Sequence, residues 1–312
     1  GGLGLGSVIG VGLRAMIARR VEELSDRVHW RVRTAELQVE QLRQVLARAA
    51  TTQFGRAHGY AGLAGLPARE LTAAFRSAVP MVDYEGYRSA IARMREGGEP
   101  NVLWPGLVMD YAQTSGTTAG DKFMPVTAEM MRSNFRASLD IFGHAVRAGV
   151  SLPRLTGGKL LFLGGSTELS RNEHGIRTGD LSGIVAPLIR WPLSTIYSPG
   201  HEIALMSHWP SKIEAMARAT LSQDVRMISG MPSWTLKLVE RVVELAREAG
   251  RRVTSLRDVW PNFTLYVHGG VKYAPFEPRI REAWSGSAAG SVPNSWRTLQ
   301  SVRKAPVRMH SS

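Results

Sequence analysis

Thr114-Ser115-Gly116-Thr117-Thr118-Ala119-Gly120-Asp121-Lys122 gathers hydroxyls, two glycines and a lysine into nine residues. Glycines let a backbone turn so that successive N–H groups face one anion. Ser and Thr hydroxyls add short donors, and a lysine adds a full positive charge. The chemistry such a loop suits is binding of a polyphosphate. It is not a Walker A loop, because Gly116 and Gly120 are four apart and Lys122 does not directly follow Gly120. An ordinary Gly/Thr/Ser turn carrying a solvated lysine has the same composition. The run from Asn101 to Tyr111 is largely apolar and reads as extended. Thr127 is an N-cap candidate with Glu129 in the first turn behind it. The loop is therefore expected at a strand–loop–helix junction.

Two further clusters carry chemical interest. Met231, Pro232 and Trp234 occupy a strand-to-helix turn and would make an apolar wall or pack a core. Gly269-Gly270-Val271 follows an apolar run that ends at His268, and a tight turn would also require these glycines. His201-Glu202 with His208 does not make a zinc site, because H-E-x-x-H needs its second histidine four residues after the first. No G-x-S-x-G elbow is present. The absence of cysteine removes disulfides, thiolate nucleophiles and Cys-based zinc sites.

The elements needed to hold these clusters are legible as hydrophobic periodicity. Helices are expected over residues 13–24, 36–50, 69–78, 84–96, 129–148 and 233–249. Short buried strands are expected over 158–165, 224–230 and 263–270, each running into glycine. Apolar strands alternating with helices make the fold class α/β with largely parallel pairing. In such sheets ligands sit beyond the carboxyl ends of the strands, so the three glycine-ended strands and the Thr114 loop are expected to face one cleft. The chain has 312 residues, 44% of them apolar and 21% charged, with a net charge of +13. That balance describes a globular protein. The basic residues are scattered and no nucleic-acid-binding pattern occurs, so no nucleic acid is expected as a partner. No stretch is long and apolar enough to span a membrane, and the N-terminal apolar stretch precedes its arginines, the reverse of a signal peptide. A cytoplasmic location is expected.

The order of residues in the loop resembles the phosphate motif of the acyl-adenylate-forming superfamily, roughly [ST]-S-G-[ST]-T-G-x-P-K. Thr114 to Thr118 and Lys122 match, Ala119 stands for the usual Gly and Asp121 for Pro. The flanking Val79-Pro80-Met81-Val82-Asp83-Tyr84-Glu85-Gly86-Tyr87, Gly97-Gly98-Glu99-Pro100 and Met124-Pro125-Val126-Thr127 are similar to the auxin-responsive acyl-acid amido synthetase family, and more closely to its bacterial members. The resemblance runs from about Glu36 to about Gly290. It implies the large N-terminal domain of an adenylate-forming enzyme, with parallel-rich sheets flanked by helices, incomplete at its C-terminal side. Residues 1–35 would be an N-terminal extension, 36–290 the partial domain, and 291–312 a tail outside the family.

The resemblance also implies a ligase that uses ATP and Mg²⁺ to activate a carboxylic acid as acyl-AMP, then transfers it to an amino acid or other amine. Thr114, Ser115, Gly116, Thr117, Thr118, Gly120 and Lys122 would bind the nucleotide, with Lys122 also catalytic. Met231, Pro232, Trp234, Gly269, Gly270 and Val271 would line the acyl–adenylate pocket. A second motif with a metal-binding Glu is expected within roughly 20–40 residues of Gly269. That motif, a ribose-binding Asp and a lid domain are not found, so no metal ligand is assigned. Residues 291–312 contain no acidic residue, as out-of-frame sequence after a frameshift would allow. A divergent C-terminus is the alternative. The fragment is expected to be inactive alone. The competing functions are an acyl-CoA ligase and a non-catalytic truncated gene product; the acyl substrate, the acceptor and the oligomeric state are not readable.

Overall fold

The computed structural model describes residues 5–114, 121–165, 168–188, 195–285 and 297–300. It contains two compact units, one of residues 23–135 and 169–184, the other of residues 1–22, 136–168 and 185–312. Among the described residues there are nine strands: β1 Asp110–Thr114, β2 Lys122–Val126, β3 Lys159–Phe162, β4 Ser170–Arg171, β5 Arg177–Gly179, β6 Tyr197–Ser198, β7 Val225–Gly230, β8 Leu265–His268 and β9 Arg297–Gln300.

In the larger unit, five strands form a sheet in the order β6-β3-β7-β8-β9, and every pairing is parallel. Side chains alternate between its faces, as the strand period of two requires. Leu161, Ile228 and Tyr266 point to one face. There they pack with Leu236, Val239 and Val243 of the helix Pro232–Glu248, and with Trp260 and Trp284. Leu160, Met227, Leu265 and Val267 point to the other face, against Ile141, Phe142 and Ala145 of the helix Ala128–Arg147 and against Leu155. A parallel sheet covered on both faces reads in sequence as continuous apolar runs, which is how β3, β7 and β8 were legible. The strand at Arg297–Gln300, in a tail without apolar periodicity, was not.

The smaller unit holds the mixed sheet β2-β1-β5-β4, in which β1 is antiparallel to β2 and parallel to β5. Tyr111 is buried with Ile91, Met94, Val102 and Ile176. The next residue, Ala112, points to the opposite side and packs with Val126 and Ile184. A third cluster, Leu46, Leu63 and Leu71, joins the helix Arg27–Ala49 to the helix Ala68–Ala78.

Two local expectations are corrected here. The extended run expected from Asn101 begins as a strand only at Asp110. Gly106 has φ +77 and donates its N–H to Asn101 Oδ1 at 2.7 Å. Pro105 has no N–H to offer a ladder, so a side-chain-closed loop replaces the strand. The expected strand–loop–helix junction is instead the tip of a β-hairpin. Residues from Lys122 to Val126 return along β1, pairing Thr114 with Lys122 and Asp110 with Val126. Pro125 is tolerated in β2 because β2 is an edge strand. The helix then starts as expected, with Met130 N–H donating to Thr127 Oγ1 at 3.1 Å.

Leu238 is fully buried in the helix Pro232–Glu248, within the largest core cluster. Leu238→Ala should destabilise the protein by about 2–5 kcal/mol, read as a lower urea midpoint without a change of m-value.

Candidate functional site

The hairpin formed by β1 and β2 presents the glycine-containing loop at its tip. Residues 115–120, which include the candidates Ser115, Gly116, Thr117, Thr118 and Gly120, lie outside the described residues. The two ends of the loop are described. Thr114 is exposed at the end of β1, and its Oγ1 donates to Lys122 O at 3.4 Å. Lys122 is half-buried as the first residue of β2.

What holds this hairpin is the first turn of the helix Tyr84–Arg95, a helix the sequence reading expected without its contact to the loop. Asp83 caps that helix by accepting from Glu85 N–H and Gly86 N–H. The cap directs Tyr84 toward β2. The Tyr84 hydroxyl accepts the Phe123 N–H at 2.7 Å and lies 3.4 Å from the Phe123 carbonyl. The Arg88 guanidinium donates to Asp121 O at 3.4 Å. Lys122 Nζ lies 5.7 Å from the centroid of the Tyr84 ring, on which Arg88 also rests at 5.0 Å. Arg88 forms two 2.7 Å bonds with Glu85, and these hold the Glu85 carboxyl below the usual carboxylate range. Lys122 adds a weaker electrostatic pull in the same direction. Among the described residues no carboxylate lies within ion-pair distance of Lys122. Its charge is therefore available to a ligand, while Arg88 is occupied by Glu85. On the other side of the sheet the Arg177 guanidinium grips Asp110 at 2.7 Å through both oxygens, pinning β1 to β5.

In the larger unit, β3, β7 and β8 are adjacent and parallel, so their glycine-bearing ends meet at one edge. Gly230 at the end of β7 is opposite His268 at the end of β8. A Cβ on Gly230 would lie 2.6 Å from Leu163 Cβ. Gly270 has φ +87, and a Cβ there would lie 2.7 Å from Met231 Sδ. This turn requires glycine both for its left-handed backbone and for the methionine packed against it. Met231 is half-buried and Pro232 buried at the start of the following helix, whereas Val271 is 39% exposed. Met231, Gly269 and Gly270 therefore come together at the sheet edge. Trp234 instead packs on Trp209, with ring centroids 4.0 Å apart, in a groove of about 380 Å³ shared with Ile213, Lys237 and Arg241.

His268 and His58 have packing roles and His208 a capping one. His268 is buried, stacked 4.2 Å from the Tyr273 ring, and burial lowers its pKa. Burial also pushes the Tyr273 hydroxyl up to about 12. His208 caps the helix Trp209–Thr220 by accepting from Ser211 N–H. His58 stacks on Phe54 at 4.0 Å. Among the described residues no group of three or more His, Asp or Glu is arranged to hold a metal ion, and no helix is long and apolar enough to cross a membrane.

Comparison with known proteins gives these observations a family. The GH3 family N-terminal domain matches residues 28–194 and 178–289. Two proteins of Oryza sativa subsp. japonica are similar over shorter segments. The probable indole-3-acetic acid-amido synthetase GH3.2 is 32% identical over 88 residues, which are 28% of this chain and 13% of that protein. Its relative GH3.1 is 29% identical over 104 residues, 33% of this chain and 16% of that protein. Among solved structures, the AtGH3.15 acyl acid amido synthetase in complex with 2,4-DB superposes with a TM-score of 0.66 at 18% identity, over 91% of this chain and 54% of that one. A second GH3.15 acyl acid amido synthetase structure gives a TM-score of 0.61 at 18% identity over 85% and 52%. The fold is thus shared with the GH3.15 acyl acid amido synthetase structures, and the chain spans about half the length of the solved structures it matches. With the family's domain matched from residue 28 to residue 289, the chain belongs to the GH3 family.

Proposed function

We propose that the protein serves ATP-dependent activation of a carboxylic acid as an acyl-adenylate, followed by amide formation with an amino acid or another amine. Membership of the GH3 family supports the reaction class. The single observation that carries the nucleotide assignment is the hairpin itself: a hydroxyl- and glycine-rich tip flanked by Thr114 and by a lysine that no carboxylate neutralises among the described residues.

Attack of a carboxylate oxygen on the α-phosphorus forms the acyl–phosphate bond and breaks the bond to pyrophosphate, which leaves with its electron pair. Negative charge then has to be stabilised on the leaving group. Donors fixed before the reaction do this better than mobile ones, because they need no reorganisation as the charge develops. In this reading Thr114 and the loop residues Ser115, Gly116, Thr117, Thr118 and Gly120 supply hydroxyl and backbone donors. Lys122 supplies the full charge, and Tyr84 holds β2 so that the lysine stays at the loop. Met231, Gly269, Gly270 and Val271 would contact the acyl–adenylate, with Pro232 fixing the start of the helix behind them and Trp234 lining its flank. Mg²⁺, if bound with ATP, would supply further charge neutralisation at the phosphates. The described residues offer it no ligand cluster, so no step is assigned through the metal.

Two substitutions test the hairpin. Lys122→Ala should raise the ATP dissociation constant measured by calorimetry by about 10–100-fold, the loss expected for a charge-assisted contact, with the melting temperature little changed. An unchanged affinity would refute the phosphate-binding role of the loop. Tyr84→Phe removes the hydroxyl that bonds Phe123 and should weaken ATP binding by roughly three- to tenfold, without touching any residue assigned to the ligand.

A further inference from the structure

Lys212, in the helix Trp209–Thr220, is 1% exposed. Its ammonium donates to three backbone carbonyls: Gly165 O at 2.8 Å, Ala204 O at 2.9 Å and Gly164 O at 3.4 Å. The ring of Trp209 lies 5.4 Å from Nζ. An ammonium taken out of water needs all its protons bonded, and three carbonyl dipoles meet that need. An apolar side chain of similar volume would fill the space but leave these carbonyls without their shared donor. What the lysine does that a methionine would not is draw three carbonyls to one point.

Two of those carbonyls belong to Gly164-Gly165, the turn that follows β3. That turn lies at the same sheet edge as Met231 and Gly269-Gly270, since β3, β7 and β8 are parallel neighbours. In a trans peptide the N–H points opposite to the C=O. With the Gly164 carbonyl turned in to Lys212, the N–H of Gly165 is turned away from it. Among the described residues this N–H has no acceptor.

We propose that Lys212 is a positioning residue that fixes the turn after β3 so that the Gly165 N–H faces an oxyanion of the bound nucleotide or acyl-adenylate. This rests on the function proposed above. The test uses the whole chain, with ATP as the probe for calorimetry and hydrogen–deuterium exchange as a second readout. In Lys212→Met the ATP dissociation constant should rise roughly tenfold. Exchange should accelerate in peptides covering residues 159–165, while peptides from the helix Pro232–Glu248 keep their protection. Lys212→Gln retains two donors and should recover part of both losses. Wild-type affinity and unchanged exchange in a folded Met variant would overturn the proposal. So would a Met variant that unfolds globally beside a folded Gln variant that binds and exchanges like wild type, because the lysine would then serve stability alone. A wild-type chain that binds no ATP would refute the nucleotide reading and the ligand half of this inference, and the exchange data would decide whether Lys212 fixes the turn.

Discussion

Burial on both faces governs the larger unit. Once Leu161, Ile228 and Tyr266 fill one side of the sheet and Leu160, Met227 and Leu265 the other, neither face is open to a ligand. The remaining surface is the edge where parallel strands end and the backbone no longer needs to pair. At that edge β7 ends in Gly230, and glycines follow β3 and β8 within two residues. The spacing there is set by close approaches that a side chain would prevent: Gly230 against Leu163, and Gly270 against Met231. In the proposed function the edge would act through backbone groups and the residues that fix them, rather than through a row of reactive side chains.

The smaller unit solves a different problem with a hairpin. The usefulness of a loop of hydroxyls and glycines depends on what constrains its ends. Here one end is an exposed threonine on a strand pinned by the Arg177–Asp110 pair, and the other is a lysine on an edge strand held by Tyr84. Arg88, which donates to Asp121 O, is taken by Glu85, whereas among the described residues no carboxylate lies within ion-pair distance of Lys122. Arg88 and Lys122 both lie near the Tyr84 ring, so hairpin and helix are tied by cation–π contacts as well as by hydrogen bonds.

Much of this was legible in the residues themselves. β3, β7 and β8 announce themselves as apolar runs ending in glycine, and the helix Pro232–Glu248 as a stripe of Leu236, Val239 and Val243, because burial imposes those patterns. The loop motif and its flanks pointed to the family that the domain match then established. What escaped was whatever depends on long-range pairing. That β2 folds back on β1 is a choice between a strand and a loop that five residues including a proline do not reveal. Tyr84 lies in a family flank and at the start of an expected helix, but nothing local ties it to Phe123, and no local pattern around Lys212 announces the three carbonyls that the fold brings to it.

The central claim is that the β1–β2 hairpin binds the phosphates of ATP. The most direct measurement is hydrogen–deuterium exchange of the whole chain with and without ATP, followed peptide by peptide. The account predicts slowed exchange across residues 110–126, in which the loop and both its anchoring strands lie. Saturating ATP that leaves this segment unchanged, while protecting residues elsewhere in the chain, would contradict it.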